Sequence, residues 1–442
     1  MNRRWGTSVS LAAWLAGLAL ACIGIPAAAQ TAPDTMPTVI RAGRVFDSEK
    51  GTMSGPQEIL VVKGRITEVA TRVNAPRGAR VVDLSKYTVL PGLIDAHTHL
   101  LYLEDPRNGG SLEGVKAVAI EGTPLRALHG AARARTFLAA GITTVRDLGN
   151  SGRFGDVALR TAIRDGSVDG PRMIVSGPGL SPPGGQFPGV QAGFQSLVDE
   201  EYRIVRGPAD AALAVQENVS QGAQVIKIYS NNTPNPGALS PAELEAIVAT
   251  AKLLGVRVAA HATDDAAVWR ATMAGVNSIE HGYEVSDSTL RLMAQKGTYL
   301  VPTDVDTLTA VAYSKAAGMD GPLPQGFIDY MNSERERLAR AVKAGVPVAA
   351  GSDMYIALGT AQGAAAKRVL FAYIQAGLTP VQVLQAATVN DARLLGYENE
   401  LGVIKPKAYA DIIAVNGNPL DDFSAIERVV WVMKDGTIYK SP

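Results

Sequence analysis

The sequence predicts an α/β protein: a (β/α)8 TIM-like barrel with a small β-sandwich domain built from both chain termini. Three observations predict it. Eight apolar, strand-like segments alternate with Ala- and Leu-rich helical stretches over about 260 residues, the expected size of such a barrel. Strand-rich segments punctuated by glycine flank this middle on both sides. Six polar groups able to hold a metal fall at or near the carboxyl ends of the middle strands, the face that carries chemistry in this architecture.

The first element is a targeting segment over residues 1–29. Arg3 and Arg4 give a positive start, Val9 to Ala21 an apolar stretch, and Ala27-Ala28-Ala29 a small-residue cleavage site before Gln30. Such a segment sends the chain to the periplasm or the medium. Arg3-Arg4 hints at twin-arginine export, and lipid attachment at Cys22 is the alternative to simple cleavage. Cys22 is the only cysteine. The mature chain would therefore form no disulfide, and any metal site must use His, Asp, Glu or a modified Lys.

Residues 36–90 read as short strands with Gly turns: 38–40, 59–62 before Lys63-Gly64, 66–69 and 81–83. Residues 399–442 repeat that style at 410–415 and 429–433, before Lys434-Asp435-Gly436. Between them, 91–398 form the barrel, with strands expected at 89–96, 142–148, 172–176, 225–229, 256–260, 277–280, 299–302 and 346–350. Helical spacing marks 125–140, 208–221, 241–254, 264–275 and 330–344. An open doubly wound sheet would call for a Gly-rich phosphate loop after the first strand, and Asp95-Ala96-His97-Thr98 stands there instead. Two connections, 181–207 and 303–328, are long enough to be functional loops.

Composition narrows the function. With 442 residues, 47% of them hydrophobic and 19% charged, the chain reads as a packed enzyme of one large and one smaller domain. Lys+Arg and Asp+Glu both number 42, so no net field attracts nucleic acid or an anionic membrane.

The chemistry starts at His97 and His99. On a strand, residues i and i+2 share a face, so both imidazoles converge on one point that suits a divalent metal. Lys227 is a charge inside the apolar strand Val225–Tyr229, His261 and His281 end later strands, and Asp353 follows the last one. Each alone has an ordinary structural reading; together they converge on one barrel mouth. His129 sits mid-helix, away from any strand end, and reads as a solvated or packing residue.

These residues resemble the amidohydrolase superfamily of metal-dependent hydrolases. The resemblance rests on Pro91-Gly92-Leu93-Ile94-Asp95-Ala96-His97-Thr98-His99, the Lys227 strand, His261, His281 and Asp353. It extends to Gly64-Arg65-Ile66, Gly402-Val403-Ile404-Lys405-Pro406 and the 410–415 strand, so it spans nearly the whole mature chain. Within the superfamily the chain looks most like the prolidase-like, imidazolonepropionase-related branch: dipeptidases, carboxypeptidases acting on N-acyl amino acids, and ochratoxin-type amidohydrolases. Two departures fall where substrate should bind. Gln186 follows Gly184-Gly185 where members often carry His, and Met354-Tyr355 follow Asp353 in place of Ala-Gly.

The resemblance implies a binuclear centre, with His97, His99 and Asp353 on one metal, His261 and His281 on the other, and a carboxylated Lys227 bridging. Imidazole and carboxylate without thiolate suit zinc. It further implies Asp353 as the general base and acid and a homo-oligomer such as an octamer; Tyr229, two residues beyond Lys227 on the same strand face, and Gln186 in the strand-three loop are expected at the substrate. The expected reaction is hydrolysis of an amide bond that releases a C-terminal amino acid from a dipeptide, an N-acyl amino acid or an ochratoxin-like conjugate. The alternatives are opening of a cyclic amide or imide on the same centre, and a periplasmic binding barrel without turnover.

Overall fold

The computed structural model describes residues 36–108, 111–187, 189–233 and 235–442. The targeting segment expected over 1–29, with Cys22, lies outside them. In chain order the strands are β1 (Thr38–Asp47), β2 (Thr52–Ser54), β3 (Gln57–Val62), β4 (Arg65–Ala70) and β5 (Arg80–Pro91). The middle holds β6 (Leu93–Thr98), β7 (Ile142–Asp147), β8 (Arg172–Val175), β9 (Gly179–Ser181) and β10 (Tyr202–Ile204). It continues with β11 (Val225–Tyr229), β12 (Arg257–Asp264), β13 (Ser278–Glu284) and β14 (Tyr299–Val301). The chain closes with β15 (Ile412–Val415), β16 (Val429–Lys434) and β17 (Thr437–Lys440).

Both termini do build one sheet. Its order is β17-β16-β15-β5-β1-β3-β4, with β2 on β1, and β5 is the seam. Along its length β5 pairs parallel with β1 and antiparallel with β15. Residues from both halves, including Ile40, Ile59, Val89, Ile412 and Trp431, share one apolar cluster.

The middle strands pair in parallel, β6-β7-β8 in one sheet and β10-β9-β11-β12-β13-β14 in another. Residues in β6, β7 and β11 are buried throughout, as in a parallel sheet covered by helices. The helix Pro241–Leu253 shows how the local sequence does this. Ser240 and Glu243 form a capping box, Pro241 occupies the first turn, and Gly255 at φ 72° ends the run. Leu244, Ile247 and Ala251 recur at helical spacing on the buried face. Burying Leu244 and Ile247 stabilises the fold by about 1.5–3 kcal/mol each.

The segment expected as the eighth strand is different. Around 346–350 there is a single parallel bridge, Leu300 to Val348, in place of a ladder. Pro347 has no N–H to give. Side chains take over N–H groups that a strand would have used: Asp391 accepts from Ala350 at 3.1 Å and Asp95 from Ser352 at 2.9 Å. The segment still sits beside β6, with Ala96 N–H on Ala350 O at 2.7 Å and Asp353 N–H on His97 O at 2.8 Å. Gly351 is required there, since a Cβ would lie 2.7 Å from the His97 Cβ and 2.4 Å from Val301 Cγ1.

The long connections are partly structured. The first contains the helix Gln195–Glu201 and β10; the second contains the helix Thr307–Ala316, which Asp306 caps. No helix among the described residues is long and apolar enough to cross a membrane.

Candidate metal centre and substrate cavity

Strand alternation sets the depth of each side chain. On β11, Val225, Lys227 and Tyr229 share one face. Val225 joins Ile94, Ile174, Ala259 and Leu395 in an apolar plug, while Lys227 and Tyr229 line a cavity above. Ala259 and His261 repeat the arrangement on β12. On β13, alternation would send Glu280 and His281 to opposite faces. Left-handed backbone at His281 (φ 73°) and Gly282 (φ 60°) breaks the pleat, and His281 joins the cavity while Glu280 lies beneath His97. Asp353 (φ 49°) and Thr303 (φ 59°) are strained in the same way. Three non-glycine residues in this region around one spot mark a place the fold holds under strain.

All six residues expected as metal ligands line this cavity: His97, His99, Lys227, His261, His281 and Asp353. His129 is an exposed residue of a helix elsewhere. Hydrogen bonds orient the rings. His97 Nδ1 lies 2.8 Å from the Glu280 carboxylate, His99 Nδ1 2.9 Å from Gly149 O, and His281 Nδ1 2.8 Å from Thr303 Oγ1. The first two partners can only accept, so His97 and His99 donate Nδ1–H and keep Nε2 as a lone pair, whereas the Thr303 hydroxyl can give or take the proton at His281. The Gln186 amide N–H faces His261 Nε2 at 3.3 Å, so that nitrogen also presents its lone pair.

The fit to a cation follows from atoms left without partners. Buried His97 Nε2 and Asp353 Oδ1 have no hydrogen bond, although they lie 3.6 Å apart. Asp353 Oδ1 also approaches His99 Nε2 to 3.1 Å, and Oδ2 lies 3.8 Å from His281 Nδ1. Ligand atoms of His97, His281 and Asp353 all fall within 4.8 Å of one another. Lone pairs and a carboxylate facing one point repel each other unless a cation or proton stands between them. Asp353 reaches both sets of histidines, so the division of ligands into two fixed groups is less sharp than the sequence suggests.

Electrostatics agree for all of these groups but His99, where burial acts downward and the Asp353 carboxylate outweighs it, raising the imidazole above its ordinary value. Burial pulls the Lys227 ammonium down to about 8, although Glu280 and Asp353 oppose the shift. Burial also lowers His261 to about 3 and drives His97 and His281 well below the usual imidazole range, so these rings are neutral donors. For Asp353 burial acts upward, but His97, His99 and Lys227 outweigh it and hold the carboxyl below its ordinary value.

The cavity has a volume of about 460 Å³. Tyr229 and Gln186, expected at the substrate, line it, as does Tyr355 of the Met354-Tyr355 departure; so do Tyr102, Glu104, Tyr202 and Tyr283, which sequence reasoning missed. Their signal was weak: Tyr102 lies just after the His99 position, in a loop without a periodic pattern. Arg146 and Glu280 were missed as a pair. Arg146 is 1% exposed and donates to Glu280 Oε1 at 2.8 Å, anchoring the carboxylate that orients His97.

Comparison with known proteins points the same way. The amidohydrolase family matches residues 88–439. Ochratoxinase of Aspergillus niger is 28% identical over 383 residues, which cover 80% of this chain and 76% of that protein. Imidazolonepropionase of Symbiobacterium thermophilum is 27% identical over 391 residues, 83% of this chain and 84% of that protein. The crystal structure of a Xaa-Pro dipeptidase with methionine bound in its active site superposes with a TM-score of 0.78 at 28% identity, covering 92% of this chain and all of that one.

Proposed function

The chain belongs to the amidohydrolase family, and from that membership we propose that it hydrolyses an amide bond in a metal-dependent reaction that releases a C-terminal amino acid. The fold is the α/β TIM-like barrel of its structural neighbours. On this reading β6–β14 and the 346–353 segment close as a (β/α)8 barrel over 91–398, and 36–90 with 399–442 form its sandwich domain. The observation that carries the proposal is the convergence of four imidazoles, a buried lysine and one carboxylate on the floor of a cavity large enough for a small substrate.

His97, His99, His261, His281, Asp353 and a carboxylated Lys227 would hold two divalent ions, zinc by the chemistry of the donors. When bound, such ions supply Lewis-acid polarisation of the amide carbonyl and lower the pKa of water. Lys227 can serve only after its amine nitrogen has added to carbon dioxide and lost a proton, giving a carbamate. Its lowered pKa leaves neutral amine available for that step. Asp353, ionised at neutral pH, takes the proton of the attacking water and passes it to the leaving nitrogen. Burial pushes the Tyr229 hydroxyl well above the usual phenol range, so it stays protonated and donates to the substrate carbonyl or carboxylate. Gln186 offers a neutral amide beside it.

The proposal extends to the setting: an exported protein, cleaved after Ala29, working as a homo-oligomer. Zinc-loaded protein incubated with mixed dipeptides and N-acyl amino acids, with free amino acids read by mass spectrometry, tests the function. Release of a defined set of amino acids, abolished by a chelator, is expected. No release from metal-replete protein would reject this reading and direct the search to cyclic amides.

A further inference from the structure

The cavity has two aromatic walls above the metal-ligand floor, and only one of them carries a carboxylate. On the His261 side, Phe187, Tyr202 and Tyr229 meet edge to face at 5.4 Å each, and Tyr229 lies 5.4 Å from His261. With Gln186 and Asn150 nearby, that wall is polar and holds no carboxylate; Lys227, its Nζ 5.3 Å from the Tyr229 ring centre, lies at its base. On the other side, the Tyr355 ring lies 5.8 Å from His99 and 5.6 Å from Tyr102, and Glu104 lines the cavity with them.

Glu104 is held in place by the backbone. Its N–H donates to Tyr355 O at 2.7 Å and its C=O accepts from Ala357 N–H at 2.8 Å, joining the loop after β6 to the loop after Asp353. Its Oε1 accepts the Tyr102 hydroxyl at 2.6 Å. Among the described residues no other hydrogen bond or ion pair reaches the carboxylate, and apart from Lys227 no lysine or arginine lines the cavity. Burial, with the negative charges of Asp353 and Glu113, pushes its carboxyl above the ordinary value, while the Tyr102 hydroxyl and His99 act the other way. A half-buried carboxylate flanked by aromatic rings, with no lysine or arginine paired to it, is poorly suited to an apolar or anionic acyl group. It suits an ammonium, which gains a charge-assisted hydrogen bond and aromatic surroundings together.

We infer that Glu104, Tyr102 and Tyr355 form a subsite for an ammonium group on the acyl side of the substrate, so that the substrate is a free dipeptide and not an N-acylated amino acid. The inference rests on the amide-hydrolase reading above. In a dipeptide the α-ammonium is attached one carbon from the scissile carbonyl. In an N-acyl amino acid that position holds no charge. The wall of Tyr229 and Gln186 is left for the leaving amino acid.

The test compares Ala-Leu, propionyl-leucine (the same molecule without its amine), N-acetyl-Ala-Leu and N-acetyl-Lys-Leu on zinc-loaded protein, reading leucine release. Ala-Leu is expected to exceed propionyl-leucine in kcat/KM by about tenfold or more. Glu104→Gln should remove that preference by raising KM for Ala-Leu, with a much smaller change for propionyl-leucine. Tyr102→Phe should keep it, because the charge remains. Equal rates for Ala-Leu and propionyl-leucine would overturn the inference, as would a Glu104→Gln effect that falls equally on both substrates. A Glu104-dependent preference for N-acetyl-Lys-Leu over N-acetyl-Ala-Leu would overturn the α-amine assignment and move the ammonium to a side chain. Calorimetric binding to metal-free protein, where nothing turns over, separates this inference from the reading it rests on. Tighter binding of Ala-Leu than of propionyl-leucine by the native protein and not by Glu104→Gln supports the subsite even if no amide is cleaved; equal affinities overturn it.

Discussion

Replacing Glu280 by Gln tests how the centre is supported from below. Glu280 is fully buried. Its Oε2 faces His97 Nδ1 at 2.8 Å, while Oε1 accepts from Arg146 at 2.8 Å and from Ser278 Oγ at 2.5 Å. Gln keeps the shape but removes the charge, and its single oxygen cannot serve both sides. Arg146, itself 1% exposed, then becomes a buried cation without a counterion, at a cost of about 3–5 kcal/mol. The lost charge-assisted bond to His97, about 1.5–3 kcal/mol, belongs to the same network and does not add in full. His97 also loses the acceptor that fixes its tautomer, which should weaken zinc binding roughly 10–100-fold. Denaturant unfolding of metal-free protein reads the first effect; zinc titration against a chromophoric chelator reads the second. Adding Arg146→Met should recover part of the stability by removing the orphaned charge, but not the zinc affinity. A Glu280→Gln protein within about 1 kcal/mol of the native stability, with native zinc affinity, would refute the reasoning.

Other outcomes follow from the same geometry. Asp353→Asn should cut turnover by about 10²–10⁴-fold, since the proton carrier is gone, with a smaller loss of bound zinc by elemental analysis. Gly351→Ala should cost about 1–3 kcal/mol and lower zinc affinity, because the new Cβ meets His97 at 2.7 Å; chelator competition and thermal melting check both. Burial and the charge of Asp147 push Asp156 up to about 7 from an ordinary 3.8. Between those values the folded protein holds a proton that the unfolded chain has released, so this contribution to stability is complete below about pH 4 and is lost as the pH rises to about 7. Asp156→Asn cannot titrate, and unfolding at pH 4.5 and 7 should show the difference moving in favour of the variant by up to roughly 1.4 kcal/mol per pH unit.

Much of the site was legible because its ligands sit where period and position speak together. His97 on β6 with His99 just past its end, Lys227 in an otherwise apolar strand, and His261 after Ala259 all follow from alternation. His281 was found at a strand end that turned out to be an interior position, made useful by left-handed backbone that no periodicity announces. The eighth strand was misjudged for a related reason: Ala350 and Ser352 give their N–H groups to Asp391 and Asp95, which are far apart in sequence. Tyr355 stood out as a departure near the substrate, but its meeting with Tyr102 and Glu104 was invisible, since two loops distant in the chain are joined there by the backbone of Glu104, Tyr355 and Ala357.

The central claim is tested most directly by stripping the protein of metal and restoring zinc in steps up to two equivalents per chain, with bicarbonate present, while following leucine release from a dipeptide. The account predicts no release from the stripped protein, recovery only as zinc is added, and full activity at two equivalents. Hydrolysis by the metal-free protein at the rate of the zinc-loaded protein would contradict it.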